Sequence, residues 1–533
     1  MKKLPLGIQN FRKIIEGGYV YADKTQYVYK LINDASYYFL LRPRRFGKSL
    51  LLDTIAEAFS GDRELFKGQF IYNSDYSFEK CPVLRLDMSN ISNKTPDDLE
   101  QSLREDLLAR VNEEGFDIAC DIPSDIFKAL IEALYKKHGK GVVVLIDEYD
   151  KPIIDHIDNM AIAKANRAVL RGFYGILKSM DPFLRLTFIT GITKFAKTSI
   201  FSGLNNLYDI TLAEDYANIC GIATDDLVKY FNDHIQYLSS LAEFSRYENL
   251  HDKILEWYDG YSWDGRTKVI NPFSLLSFFA RKKFLTFWYS SGTPAFLMDM
   301  IKKDAEAYIS LKNLKITELM LDTTDLDEID AQLLLFQTGY LTVKDVMPTK
   351  SSDIYILDMP NFEVREAFNL HIISAFTGKK QPYVKQAQLD IDNALKKNDF
   401  SKVLEIFRDL FASIPYQLHI GKEAYYHSIF YAIMNILGFD IFAEVSVAGG
   451  SVDAVMELDD RVYVIEFKYE QCSEDATSEE RDKLFEKALK KGMKQIKDRG
   501  YAKKYEGCGK MIYQTAFAFL GRDSIEMITE VQE

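Results

Sequence analysis

The sequence predicts an α/β protein of more than one domain, with a parallel sheet near its N-terminal end. Three observations carry that reading. A short apolar run, Tyr37 to Leu41, leads straight into a Gly-Lys-Ser turn and then into the amphipathic spacing of SLLLDTIAEAF; this is strand, loop and helix in succession. An unbroken β-branched run, Val142 to Ile146, ends in Asp147 and Glu148, and such runs are strands buried on both faces, as parallel sheets require. Far downstream, Ser451 to Leu458 and Arg461 to Tyr469 flank an Asp459-Asp460 turn and read as a β-hairpin.

Taken in chain order, Tyr37 to Leu41 is the first predicted strand and Pro82 to Met88 (PVLRLDM) the second. Val142 to Asp147 is the third, Leu184 to Thr190 (LRLTFIT) the fourth and Leu207 to Thr211 (LYDIT) the fifth. Helical stretches separate them, which is the order of a parallel α/β sheet. Ligands bind such sheets outside the carboxyl ends of the strands, and the conspicuous polar residues lie there.

The loop after the first strand, Pro43, Arg44, Arg45, Phe46, Gly47, Lys48, Ser49 and Leu50, has the context of a phosphate-binding loop. Backbone N–H groups and a helix N-terminus would face the anion, Lys48 would reach the β/γ-phosphates of ATP, and Ser49 would ligate Mg²⁺. Arg42 stands where the pattern G-x-x-x-x-G-K-[ST] has its first glycine. Asp147 would hold the ion through water and Glu148 would polarise the attacking water; a solvated Asp-Glu turn is the plain alternative. Thr190 is read equally as a sensor of the γ-phosphate or as a simple strand-to-turn threonine.

In the hairpin, alternation puts Tyr463, Ile465 and Phe467 on one face and Val464, Glu466 and Lys468 on the other. Asp453 on the neighbouring strand is placed to meet Glu466 and Lys468. Two carboxylates and a lysine suit metal-assisted phosphodiester hydrolysis, with Asp453 and Glu466 on Mg²⁺ and Lys468 orienting water or stabilising charge. An E-x-K on a strand is more often a solvated face. Glu423, on an upstream helical segment, would bring a further acid to the metal, and His427 on the same helical face is read as a packed histidine.

YADKT (Tyr21 to Thr25), RPRRFGKSL (Arg42 to Leu50), LIDEYDKP (Leu145 to Pro152), TGITKF (Thr190 to Phe195) and SIFSGLNNL (Ser199 to Leu207) resemble the AAA-ATPase-like domain of a large group of uncharacterised bacterial proteins. That group itself carries Arg in place of the first loop glycine. In it a PD-(D/E)XK nuclease-like domain usually follows, and the pattern Glu423, Asp453, Glu466-x-Lys468 and Gln495 is similar to such nucleases. Gln495 and Tyr501 look like the Q-I-x-x-x-x-Y element of that superfamily. The Pro before the first Asp is replaced by Val452.

The resemblance implies a P-loop ATPase core over residues 1–215, a helical or winged-helix-like region over 216–385 and an α/β restriction-endonuclease-like domain over 386–533. In the middle region, Ala331 to Val343 followed by Ile354 to Leu357 reads as a helix and a two-stranded wing, with a helical spacer equally consistent. The expected cofactors are ATP and Mg²⁺ and the expected partner is nucleic acid, DNA first; a homo-oligomer is left open. The runner-up is a nucleotide-gated binding or scaffold protein whose nuclease-like domain is inactive.

Composition sets the outer limits. A chain of 533 residues exceeds one core, and 47% hydrophobic with 13% aromatic residues leaves ample material to bury. A net charge of −13 argues against a protein that coats nucleic acid generally, while local basic clefts remain compatible with it. One candidate is the basic helix around Gln495, whose interspersed acids fit a solvated amphipathic face nearly as well. Cysteines 81, 120, 220, 472 and 508 form no C-x-x-C pair, which fits a reducing cytoplasm and excludes a Cys-rich zinc site. The start MKKLPLGIQNF lacks a signal peptide's apolar stretch, and Arg281-Lys282-Lys283 interrupts the longest aromatic run, so no membrane span is expected.

Overall fold

The computed structural model describes residues 1–194, 200–201, 206–288, 314–322, 326, 330–350, 352–412, 430, 434, 440–447, 450–458, 460–473, 475–507, 509–521 and 524–532. The chain divides into two compact units, Met1–Gly292 with Leu311–Val364, and Thr293–Ser310 with Arg365–Glu533.

The first unit is built on five parallel strands: β1 (Tyr37–Leu41), β2 (Val83–Asp87), β3 (Val142–Asp147), β4 (Leu184–Gly191) and the short β5 (Tyr208–Asp209). Their spatial order is β2-β3-β4-β1-β5. All five expected strands are present. Every residue of β1 and β3 is buried, which is why both read as continuous apolar runs rather than alternating ones. Register aligns Asp87 with Asp147, Ile146 with Ile189 and Leu41 with Gly191, so the carboxyl ends of four strands meet along one edge.

The helix Lys48–Ala58 follows β1 through a loop whose last residue, Gly47, is left-handed at φ 91°. Beyond β5, the short antiparallel pair β6 (Ile222–Ala223) and β7 (Val269–Ile270) accompanies the helices Thr224–Ser239, Leu250–Tyr258 and Pro272–Arg281, which share an apolar core that includes Leu227, Phe231, Ile254, Leu275 and Phe278.

The helix Ala331–Thr338 is followed by β9 (Thr342–Met347) and β10 (Ile354–Asp358), the expected helix and hairpin. A third strand, β8 (Leu314–Thr317), pairs antiparallel with β10, giving the order β8-β10-β9. It lies before the helix in sequence, so a local reading of helix then wing does not contain it.

That helix ends at Gly339, left-handed at φ 93°. A Cβ at Gly339 would stand 2.7 Å from Cβ of Pro43 in the loop after β1, and the Gly339 carbonyl accepts a 3.1 Å bond from the Tyr261 hydroxyl. Gly339→Ala therefore meets both a backbone penalty and an overlap. We expect it to lower the urea midpoint by an amount equivalent to about 1–3 kcal/mol. An unchanged midpoint would show that Pro43 yields freely.

The second unit is a five-stranded sheet between helices, in the order β11 (Asp440–Val447), β12 (Gly450–Glu457), β13 (Arg461–Glu470), β14 (Met511–Leu520) and β15 (Ser524–Val531). The pairs are antiparallel except β13 with β14, which is parallel. One face packs Tyr463, Ile465 and Phe467 against the helices Gln381–Lys396 and Phe400–Ala412. The other face packs Val462 and Val464 against Met493 and Ile496 of the helix Ser478–Asp498. Among the described residues no helix is long and apolar enough to cross a membrane.

Candidate nucleotide and nuclease-like sites

Two of the loop arginines, Arg42 and Arg45, lie in different surroundings. Arg42 is buried, at 1% exposure. Its guanidinium donates to the carbonyls of Leu41 at 2.8 Å, Thr211 at 2.8 Å and Tyr216 at 3.2 Å, and it stacks 3.8 Å from the Trp263 ring. Planar stacking combined with a fork of donors is something arginine supplies and lysine does not. Arg42 thus fastens the loop to residues far along the chain. Phe46 completes the shell edge-on to Tyr261 and Trp263 at 4.7 and 5.4 Å. Arg45, itself left-handed at φ 66°, lies 3.7 Å over Phe273.

Lys48 opens the following helix, and its ammonium bonds the carbonyls of Arg42 at 2.8 Å and Pro43 at 3.0 Å. Burial pushes its pKa down, against the upward pull of Asp147 and Glu148. The Ser49 hydroxyl donates to Asp147 Oδ2 and the Thr190 hydroxyl to Asp147 Oδ1, both at 2.6 Å. The β3 carboxylate is therefore held between the loop helix and β4. Thr190 is fully buried, and its hydroxyl is aimed at Asp147.

Glu148 differs from its neighbour. Its backbone is left-handed at φ 53°, a costly conformation for a residue with a side chain. That turn carries it off the strand line, half-buried, with no side-chain hydrogen bond or ion pair among the described residues. Burial pushes its carboxyl pKa up, opposed by the charge of Lys48.

Asp150, to which the sequence reading assigned nothing, is fully buried. It accepts bonds from the Thr193 amide at 2.6 Å, the Thr193 hydroxyl at 2.8 Å and the Ile192 amide at 3.1 Å. Asp150 thereby clamps the segment after β4, where Lys194 pairs with Asp209 at 3.0 Å. The signal was a third acid in IDEYD, but its amide partners lie too far along the chain to be inferred locally.

An apolar cavity of about 100 Å³ opens beside the loop, walled by Tyr21, Ala22, Lys24, Gly47, Leu50, Cys220, Ile222 and Leu276 among others. Lys24 in its wall donates to Asn218 at 2.7 Å and to Asp226 at 3.1 Å. The YADKT segment carried no role in the sequence reading; it forms this wall.

In the second unit, Ala454 pairs with Ile465, which places Asp453 and Glu466 next along the same ladder. Asp453 Oδ2 accepts the Phe467 amide at 2.8 Å. The Lys468 ammonium donates to Glu466 Oε1 at 2.9 Å and to the Phe467 carbonyl at 2.6 Å. Glu466 is wholly buried, and its Oε2 has no hydrogen-bond partner among the described residues. The helix Ser478–Asp498 lies directly over this trio: a Cβ at Gly492 would stand 2.9 Å from Ala516 Cβ and 3.6 Å from Lys468 Cγ.

Gln495 is half-buried on the same helix. Tyr501 is fully buried and packs in the apolar cluster beneath that helix, with a 3.4 Å bond from Arg499 to its hydroxyl. Glu423 and His427 lie outside the described residues. Among the described residues, no three His, Cys, Asp or Glu side chains converge as a metal cluster.

Burial, with the charge of Asp453, pushes the Glu466 carboxyl up to about 7, against the pull of Lys468. An acid raised this way binds more protons folded than unfolded between its ordinary value of 4.5 and about 7. Stability must then fall as pH rises through that window. In EDTA, we expect the second unit to melt lower at pH 8 than at pH 5, and Glu466→Gln to remove that contribution. Identical pH slopes in the two proteins would refute the burial cost.

Comparison with known proteins bears on both halves. The family described as "Predicted AAA-ATPase" matches residues 5–201, and the PD-(D/E)XK nuclease superfamily matches residues 421–527. An uncharacterised protein in the vnfD 5′ region of Azotobacter chroococcum mcd 1 is 35% identical over 541 residues, covering 100% of this chain and 99% of the relative. The chain belongs to this family of predicted AAA-ATPases that carry a PD-(D/E)XK domain. The Aeropyrum pernix ORC2 protein, solved as ADPNP-ADP complexes, covers 68% of this chain and 98% of its own at 12% identity with a TM-score of 0.27, a likeness too loose to bear on function. Family membership makes the first unit's sheet that of an AAA-ATPase-like domain and the hairpin with Glu466 and Lys468 part of a PD-(D/E)XK domain.

Proposed function

We propose that the chain binds and hydrolyses ATP at the loop Pro43–Leu50 and cleaves nucleic acid at Asp453, Glu466 and Lys468. The observation that carries the reading is the Ser49–Asp147–Thr190 relay, which presents a hydroxyl and a carboxylate at the mouth of a phosphate loop, while the Glu148 carboxylate stands beside it without a hydrogen bond or ion pair among the described residues. Lys48 neutralises phosphate charge, the Lys48–Ala58 helix N-terminus offers amide donors, and Glu148 orients the attacking water. Asp147 is held in place by two hydroxyls, so Thr190 acts through it. The apolar cavity beside Gly47 and Leu50 suits a flat heteroaromatic base.

Ser49 and Asp147 supply the hard oxygens that Mg²⁺ prefers, so the residues present fit that ion. Asp453 and Glu466 fit a second one: Glu466 Oε2, without a partner among the described residues, and the raised pKa both mark a carboxylate whose charge Lys468 offsets only in part. A divalent ion there would polarise a phosphodiester and activate water. Lys468 orients that water, and Gly492 keeps the overlying helix from displacing Lys468.

The domain limits we adopt are an ATPase core over 1–215, a helical and winged region over 216–385 and a nuclease-like domain over 386–533. The test is phosphate release and cleavage of linear, nicked and single-stranded DNA, and of RNA, by the full chain with Mg²⁺ or EDTA. Expected are metal-dependent phosphate release and metal-dependent cutting. Absence of phosphate release would overturn the ATPase half, and absence of cutting on all substrates the nuclease half.

A further inference from the structure

We infer, on the nucleotide reading of the Pro43–Leu50 loop, that Lys24 donates a hydrogen bond to a ring nitrogen of the base and so selects adenine over guanine.

The cavity beside Gly47 and Leu50 is where a nucleotide held by that loop would put its base. Among its described wall residues Lys24 is the one charged side chain, and no side chain there carries a carboxylate or an amide oxygen. Lys24 is buried, at 8% exposure. Its ammonium donates to Asn218 Oδ1 at 2.7 Å and to Asp226 Oδ2 at 3.1 Å, and Asp226 Oδ2 also accepts the Ala223 amide at 3.3 Å. Asn218 and Asp226 bracket the segment Ile219 to Ile222, which is itself cavity wall. The head of Lys24 is therefore held alongside that wall. Burial pushes the Cys220 thiol pKa up, and the charges of Arg42, Lys48 and Lys24 oppose it, so the ammonium lies within electrostatic reach of a second wall residue.

An ammonium has three donors, and Asn218 and Asp226 take two of them. The third has no acceptor among the described residues. A strut between the N-terminal segment and the helix Thr224–Ser239 would need the Asp226 pair alone. It gives no reason for an idle donor at an apolar wall, where an unmade bond is costly. A base supplies the missing acceptor. Adenine offers the lone pairs of N1, N3 and N7 and carries a single amino group. Guanine carries an N1–H as well as its amino group, and the wall side chains offer these donors no carboxylate or amide oxygen. Its burial leaves one more donor unpaired.

The test is competition binding to the full chain by ADP, GDP and the 1-, 3- and 7-deaza analogues of ADP, each of which replaces one ring nitrogen by C–H. In wild type, GDP and one deaza analogue should bind about 10- to 100-fold more weakly than ADP, the loss expected for one hydrogen bond from a charged donor. The other two analogues should stay within about threefold of ADP. Lys24→Met keeps the apolar stem and removes the donor, so it should bind ADP and the weakened analogue alike. Lys24→Arg keeps the charge opposite Asp226 but moves the donors past the ammonium's place. It should shrink the same preference at least about threefold, and it decides the matter if Lys24→Met does not fold. GDP binding as tightly as ADP, no deaza analogue weakened, or a preference that a folded variant retains in full overturns the assignment and leaves the phosphate-loop reading intact. Equal weakening of every nucleotide in the variants, as loss of a strut would give, overturns it too. A wild-type chain that binds none of these nucleotides overturns that reading and this inference together.

Discussion

Lys48→Ala is expected to abolish nucleotide binding, while Glu148→Gln keeps binding and loses hydrolysis. The two effects differ because the two side chains are held differently. The Lys48 ammonium is buried against the Arg42 and Pro43 carbonyls at 2.8 and 3.0 Å, already inside the loop that would close on phosphate. Its charge is part of the ground-state site, so alanine removes binding itself. Burial of this kind also lowers the lysine pKa, and a bound polyphosphate would raise it again.

The Glu148 carboxylate makes no hydrogen bond or ion pair among the described residues, and the residue's left-handed backbone at φ 53° is held by backbone bonds, its amide to Asp147 Oδ1 and its carbonyl to the Lys151 amide. Glutamine there keeps the shape and removes the proposed base, so the rate should fall by about two to four orders of magnitude with affinity retained. Equilibrium titration and phosphate release on both variants decide the matter. Undiminished affinity in Lys48→Ala would sink the phosphate-loop assignment, and unchanged turnover in Glu148→Gln would move the base elsewhere. Asp87, in register with Asp147, would be the first place to look.

The parts of this molecule that were legible in the sequence are those governed by local periodicity. Strands β1 and β3 lie inside a parallel sheet with both faces covered, so Tyr37–Leu41 and Val142–Ile146 had to be continuously apolar. The hairpin around Asp459-Asp460 has two different faces, so alternation separated Phe467 from Glu466 and Lys468 without reference to any other element.

What stayed hidden depends on partners distant in sequence. Arg42 departs visibly from the glycine pattern, but its grip on Thr211, Tyr216 and Trp263 joins segments that no local pattern relates. In the sequence Asp150 is one acid among several; only the fold brings the amides of Ile192 and Thr193 onto it. The same holds for β8, whose pairing with β10 crosses an intervening helix.

Asp453→Ala and Glu466→Ala are each expected to lower metal-dependent cleavage at least about a hundredfold with the fold retained. Each removes a hard oxygen from the pair that would hold the divalent cation. The harder question is whether Glu466 is kept for chemistry or for structure, because a buried Glu466–Lys468 pair at 2.9 Å resembles an ordinary internal ion pair. Stability against pH separates the two. A structural ion pair strengthens the fold when both partners are charged, so stability would rise as Glu466 ionises. Here burial and Asp453 push Glu466 up to about 7, so ionising it weakens the fold as pH rises from 4.5 to about 7. Its Oε2 is also left without a partner among the described residues. A group whose ionisation costs stability at neutral pH fits the proposed metal-binding role better than a purely structural one. Glu466→Gln should therefore lose cleavage and also lose the drop in melting temperature between pH 5 and pH 8. If the variant instead keeps its cleavage, or melts with a steeper drop than the wild type, Glu466 is a structural partner of Lys468 and the catalytic reading of the hairpin fails.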